Sequence, residues 1–123
     1  MDVTPLVPKD RQVIDSYSAE GFRVSGVLRK GAILVLPQSV YAWPVTALDV
    51  ISLESFAPIL GAGAQILLLG CGRRMTPVPL ALRQALRAHQ LVVDAMDTGA
   101  ACRTYNILLA EDRRVAAALL PLG

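Results

Sequence analysis

Ten consecutive residues, Asp97-Thr98-Gly99-Ala100-Ala101-Cys102-Arg103-Thr104-Tyr105-Asn106, bring together a carboxylate, two hydroxyls, a thiol, a guanidinium, a phenol and a carboxamide where a strand-like run gives way to helical spacing. A strand-to-helix junction of this kind can hold a small anion or carboxylate, because the helix opens with unpaired N–H groups and the positive end of its dipole. A second junction lies upstream, where the apolar run Ile66-Leu67-Leu68-Leu69 breaks at Gly70-Cys71-Gly72-Arg73-Arg74. The candidate ligand-binding set is therefore Gly70, Cys71, Gly72, Arg73, Arg74, Asp97, Thr98, Arg103, Tyr105 and Asn106. Each also has a structural duty open to it. The glycines permit a tight turn, Thr98 or Asp97 caps a helix, Tyr105 fills core with its hydroxyl satisfied, Asn106 ties helix to loop, and the arginines are solvated or paired to Asp94 and Asp97.

Sharper chemistries fail on particular residues. Gly70-Cys71-Gly72 invites a dinucleotide reading with Asp94 or Asp97 on the ribose, but Met75 stands where the third glycine belongs. Pro77 and Pro79 then delay the helix that should meet a pyrophosphate. Cys71, close to Arg73 and Arg74, is a candidate for a lowered pKa and reactivity, the minority reading, and Cys102 is expected to be buried and inert. A dyad of Cys71 with His89 is excluded, because a helix ending at His89 would be about 16 Å long and carry the imidazole to the opposite sheet edge. Two cysteines and one histidine match neither a disulfide scaffold nor a zinc site. No catalytic residue, cofactor or metal is assigned.

The elements that position these residues read as follows. Residues 1 to 12 form an irregular arm, and 13 to 120 one globular domain. From Val13 to Trp43, short apolar runs between Gly21, Gly26, Gly31 and Pro37 read as an antiparallel meander. Asp49 to Ser52 is expected as a further strand, and Leu53 to Leu60 as a short helix opened by Ser52. The period then changes: Gln65 to Leu69 is a buried strand, Pro79 to His89 a helix with Leu82 and Leu86 inward, and Leu91 to Ala95 a strand. A helix from Asp97 or Thr98 to about Ala110 and a strand from Val115 to Leu120 complete a βαβαβ unit. Short links make its three strands parallel. Both polar junctions then lie at the carboxyl ends of the strands, where ligands of open α/β sheets gather.

A chain of 123 residues suits one domain with a core of its own. Its apolar fraction of 54% is high, yet no run approaches the ~20 residues of a membrane span. Met1-Asp2-Val3-Thr4-Pro5 lacks secretory or transit character, so cytoplasmic residence is expected. Twelve cations, ten of them Arg, are scattered against ten acids for a net charge of +2, which points away from nucleic acid. So apolar a domain is expected to bury an edge or patch against a second copy, as a dimer.

The stretch from Met96 to Leu108, followed by Arg113-Arg114-Val115-Ala116-Ala117-Ala118-Leu119-Leu120, resembles the family that contains mitochondrial respiratory complex I assembly factor three. The likeness extends through Leu67 to Gly72 and, more loosely, from about Ile14. It implies a three-layer α/β domain with a mixed sheet, and for the mitochondrial member a part in building the respiratory complex rather than catalysis. Bacterial-type members are largely uncharacterised, and the family brings no catalytic residues to carry over. Cys71 stands where many relatives carry a small residue such as Thr, which speaks against thiol chemistry as a family activity. The function expected is protein binding or assembly, with unidentified protein partners. The alternative is a small-molecule or anion-binding enzyme at the shared sheet edge.

Overall fold

The computed structural model describes residues 10–123, so most of the expected N-terminal arm lies outside the described residues. Within them the strands are β1 (Ile14–Tyr17), β2 (Gly21–Val24), β3 (Val27–Lys30), β4 (Ile33–Leu36), β5 (Ser39–Ala42), β6 (Ile66–Cys71), β7 (Val92–Met96) and β8 (Val115–Leu120). The helices are α1 (Leu80–Ala88) and α2 (Thr98–Ala110). The fold is mixed α/β. Strands β1, β2 and β3 make an antiparallel sheet, and the other five a mixed sheet in the order β5-β4-β8-β6-β7. The second half matches its expected pattern, with β6 parallel to both β7 and β8.

The expected meander is divided between the two sheets. Its first three strands form their own sheet, while the β4–β5 hairpin joins the parallel unit through β4, antiparallel to β8. The division falls at Gly31, whose φ of +78° is a left-handed turn that glycine adopts at no steric cost. Two local expectations are corrected. Asp49 to Ser52 is no strand: Leu48–Val50 forms one 3-10 turn, and Val50 stays 64% exposed, so its apolar side chain has no sheet face to join. The helix expected over Leu53 to Leu60 contracts to a 3-10 turn at Leu53–Phe56, opened by the Ser52 N–H donating to the Ser55 hydroxyl at 3.0 Å.

Strand β8 explains the layering. Ala116, Ala118 and Leu120 point to one face of the five-stranded sheet and join a core with Trp43, Phe56, Ile59, Leu82 and Leu86, beneath α1 and the 3-10 segment. Val115, Ala117 and Leu119 point to the other, where Tyr105, Leu109, Ile14 and Phe22 bring in α2 and the three-stranded sheet. Alternation on a strand buried on both faces thus makes three layers with the large sheet in the middle. Alanines at 116, 117 and 118, all fully buried, leave room for large partners such as Tyr105 and Trp43.

Candidate functional site

The two polar junctions meet at the carboxyl ends of β6 and β7, as their topology requires, and Thr98 is the pin. Its hydroxyl accepts a hydrogen bond from the Gly72 N–H at 2.8 Å and donates to the Leu120 carbonyl at 2.5 Å. Its own N–H donates to the Gly72 carbonyl at 2.8 Å. One fully buried side chain therefore ties the ends of β6 and β8 to the first turn of α2. The glycines serve this closure: a Cβ on Gly70 would lie 2.8 Å from Leu119 Cδ2 and 3.2 Å from Thr98 Cα, and Gly72 takes a φ of +85°.

Asp97, not Thr98, is the cap of α2, accepting from the Ala100 N–H at 2.9 Å. The chain's own carboxylate occupies the helix N-terminus, and the Gly72 N–H is spent on Thr98. Of the donors an anion would need there, the N–H groups of Thr98, Ala100 and Ala101 are paired internally.

The rest of the motif faces the small sheet. Asn106 holds β1 with both ends of its carboxamide: Oδ1 accepts from the Ile14 N–H at 3.0 Å and Nδ2 donates to the Ile14 carbonyl at 2.8 Å. The fully buried Tyr105 donates its hydroxyl to the Gln12 carbonyl at 3.0 Å, as expected of a satisfied core phenol. Arg103 is exposed and reaches the Tyr17 hydroxyl at 3.3 Å. Gly99 lets that tyrosine in close, since a Cβ there would come within 2.6 Å of the hydroxyl. The polar face of α2 is thus a seam that docks the three-stranded sheet.

Cys71 does not take the lowered pKa considered for it. Burial is the largest influence and raises its pKa, against hydrogen bonds from the backbone at Thr76 and Met96, with the Asp97 charge adding to the rise. Arg73 and Arg74 point to solvent and do not activate it. Cys102 is buried, and burial pushes its thiol up to about 12. Both thiols are free. His89 lies exposed at the far end of α1. Among the described residues no group of His, Cys, Asp and Glu side chains could hold a metal ion, and no helix is long and apolar enough to cross a membrane.

Two concavities among the described residues bear on function. One, of about 530 Å³, opens at the expected edge and takes in Cys71, Gly72, Arg73 and Thr76 with Val45, Leu48 and Pro121. Gly70, Arg74, Asp97, Thr98, Arg103, Tyr105 and Asn106 do not line it: Arg103, Tyr105 and Asn106 serve the other face of the sheet, Arg74 is exposed, and Gly70, Asp97 and Thr98 close the strand ends onto α2. The candidate set is therefore divided among a cleft, a closure at the strand ends and a seam, with Arg74 in solvent. The larger concavity, about 580 Å³, lies at the opposite pole among Arg11, Tyr41, Asp112, Arg113 and Arg114. The Arg113-Arg114 pair was its one visible signal; the walls come from the β4–β5 turn and the turn after Ile59, which spacing could not place.

A family model described as "Protein of unknown function (DUF498/DUF598)" matches residues 14–120. The chain is 38% identical over 110 residues to NADH dehydrogenase (ubiquinone) 1 alpha subcomplex assembly factor 3 of Bos taurus, covering 88% of this chain and 60% of that protein. It is 35% identical over 109 residues to an uncharacterized protein of Rhodobacter capsulatus, covering 89% of this chain and 84% of that one. A crystal structure described as an outer membrane protein from Bartonella henselae matches with a TM-score of 0.83 at 36% identity, covering 92% of this chain and 97% of that one. The chain spans about 60% of the length of the bovine assembly factor.

Proposed function

The chain belongs to the DUF498/DUF598 family, and on that premise we propose that it is a non-enzymatic protein-binding domain with an assembly-factor-like role. The observation that carries this reading is the likeness to relatives named as assembly factors over 88% of the chain. The internal pairing of the α2 motif agrees with it, since side chains engaged in closing the fold are poorly placed for turnover. Partner contact is assigned to the exposed turn Arg73-Arg74-Met75, where a 57% exposed methionine follows two arginines. Arg and Met are enriched in interface cores. A homodimer and residence in a reducing compartment belong to the same proposal, the latter resting on two free thiols.

Capture at native expression tests it: the chain should retain a reproducible protein partner and an Arg74→Glu/Met75→Asp variant should lose it with an unchanged melting temperature. A chain that captures nothing and instead turns over a metabolite would sink the proposal. The 530 Å³ cleft favours one second reading, a small-molecule-binding enzyme at the same edge. That reading requires a ligand whose thermal stabilisation disappears in Arg73→Ala.

A further inference from the structure

The 580 Å³ cleft lies at the amino ends of β6 and β8, and no residue of the polar motif lines it. Its charged lining consists of Arg11, Arg113 and Arg114 against Asp112, three cations and one anion. Among the described residues the only ion pair is Arg11 with Asp112, at 3.4 Å. Arg113 and Arg114 project from the turn between α2 and β8. That turn is fixed by the Arg113 N–H donating to the Leu108 carbonyl at 2.9 Å and by the left-handed φ of 59° at Asp112. Tyr41, on edge strand β5, stands in the facing wall.

We infer that this cleft binds a ligand bearing two or more carboxylates. Its volume is in the range of about 300–1,000 Å³ typical of small-ligand sites, and guanidinium forks pair with planar carboxylates through two parallel hydrogen bonds. Phosphate is the poorer fit. Phosphate sites draw on helix N-termini and clustered backbone N–H groups, whereas α2 brings its C-terminal, negative end to this pole. A dianion concentrated on one centre meets that end less favourably than single charges spread over a carbon skeleton. The inference is independent of the assembly-factor proposal, whose test uses the opposite pole.

Titration of the whole chain by NMR at low salt, with citrate, a glutamate-rich hexapeptide and inorganic phosphate as separate probes, tests it. Citrate alone binding assigns a free polycarboxylate; the peptide binding assigns an acidic segment of a polypeptide. Either result should weaken about tenfold in Arg113→Gln/Arg114→Gln, which removes two charge-assisted contacts. Binding should tighten about threefold in Asp112→Asn, which removes the opposing charge at a backbone conformation asparagine tolerates. The inference is overturned if neither carboxylate probe shifts the cleft resonances, if phosphate binds as tightly as citrate, or if the charge changes leave affinity unaltered.

Discussion

At the scale of single residues, Thr98 and Cys102 carry the sharpest consequences. Replacing Thr98 by Val keeps shape and burial but strips partners from the Gly72 N–H and the Leu120 carbonyl. A buried group left unpaired costs about 1–3 kcal/mol, so Thr98→Val should lose about 2–4 kcal/mol in urea unfolding while Thr98→Ser loses much less. Equal losses would mean the hydroxyl does not pin the strand ends. Cys102 makes stability depend on alkaline pH. Burial, with Asp97 adding and Arg103 opposing, raises its thiol from 9.0 to about 12. Below about pH 9 both folded and unfolded thiols are protonated and the stability is fully present; above it the unfolded chain ionises while the folded one does not. Stability should therefore fall as pH rises from about 9 to 12, by up to about 4 kcal/mol from this group. Tyr105, raised above its ordinary 10.0 by burial, acts with the same sign at higher pH. Unfolding free energies of Cys102→Ala between about pH 8 and 11 should follow a flatter curve than the parent's. Parallel curves would assign the alkaline loss elsewhere.

At the scale of elements, α2 is a connector read from both ends. Its N-terminus needs a bare backbone opposite: in Gly70→Ala the new methyl meets Leu119 Cδ2, which can yield, and the Thr98 backbone, which cannot. Overpacking of this kind costs about 1–3 kcal/mol, measurable as a lower urea midpoint with an unchanged m-value. A neutral Gly70→Ala would show that the approach is looser than it stands. Further along α2, Asn106→Ala should cost about 1–3 kcal/mol and speed amide exchange in β1 to β3, starting at Ile14, while β6 and β8 keep their protection. Uniformly faster exchange would contradict the seam. The second half of the fold was legible because each element there is long enough to show its period, and because β8 is an uninterrupted apolar run from Val115 to Leu120. Val50 and Ile51 imitate a strand, but two apolar residues contain no record of whether a sheet face awaits them. The meander was recognised without its partition, since Gly31 marks a turn and not the sheet each flank will join. The meeting of Gly72 with Thr98 followed from topology, but the outward side of α2 did not: that Asn106 grips β1 and turns away from the cleft depends on where an independent sheet docks.

At the scale of the whole molecule, β8 lies with β4 and β6 between two cores, and Trp43, the only tryptophan, belongs to one of them. Its indole N–H donates to the Ser55 carbonyl at 2.7 Å and its ring lies 5.5 Å from that of Phe56, on the α1 side with Ala118. Ala117 faces the other side, beneath Tyr105. Enlarging either alanine to leucine should cost about 1–3 kcal/mol or more, because neither close-packed face has room. Both variants lower the global unfolding midpoint, since one strand serves both cores and the transition is shared. Their native states differ, however: Ala118→Leu crowds the packing around the indole and should shift Trp43 emission before any denaturant is added. Ala117→Leu should leave the emission unchanged and disturb the Tyr105 environment in the near-ultraviolet circular dichroism. The two strains are separated by the backbone of a single strand, so a shared shift of Trp43 would mean that β8 transmits displacement across the sheet instead of insulating one core from the other.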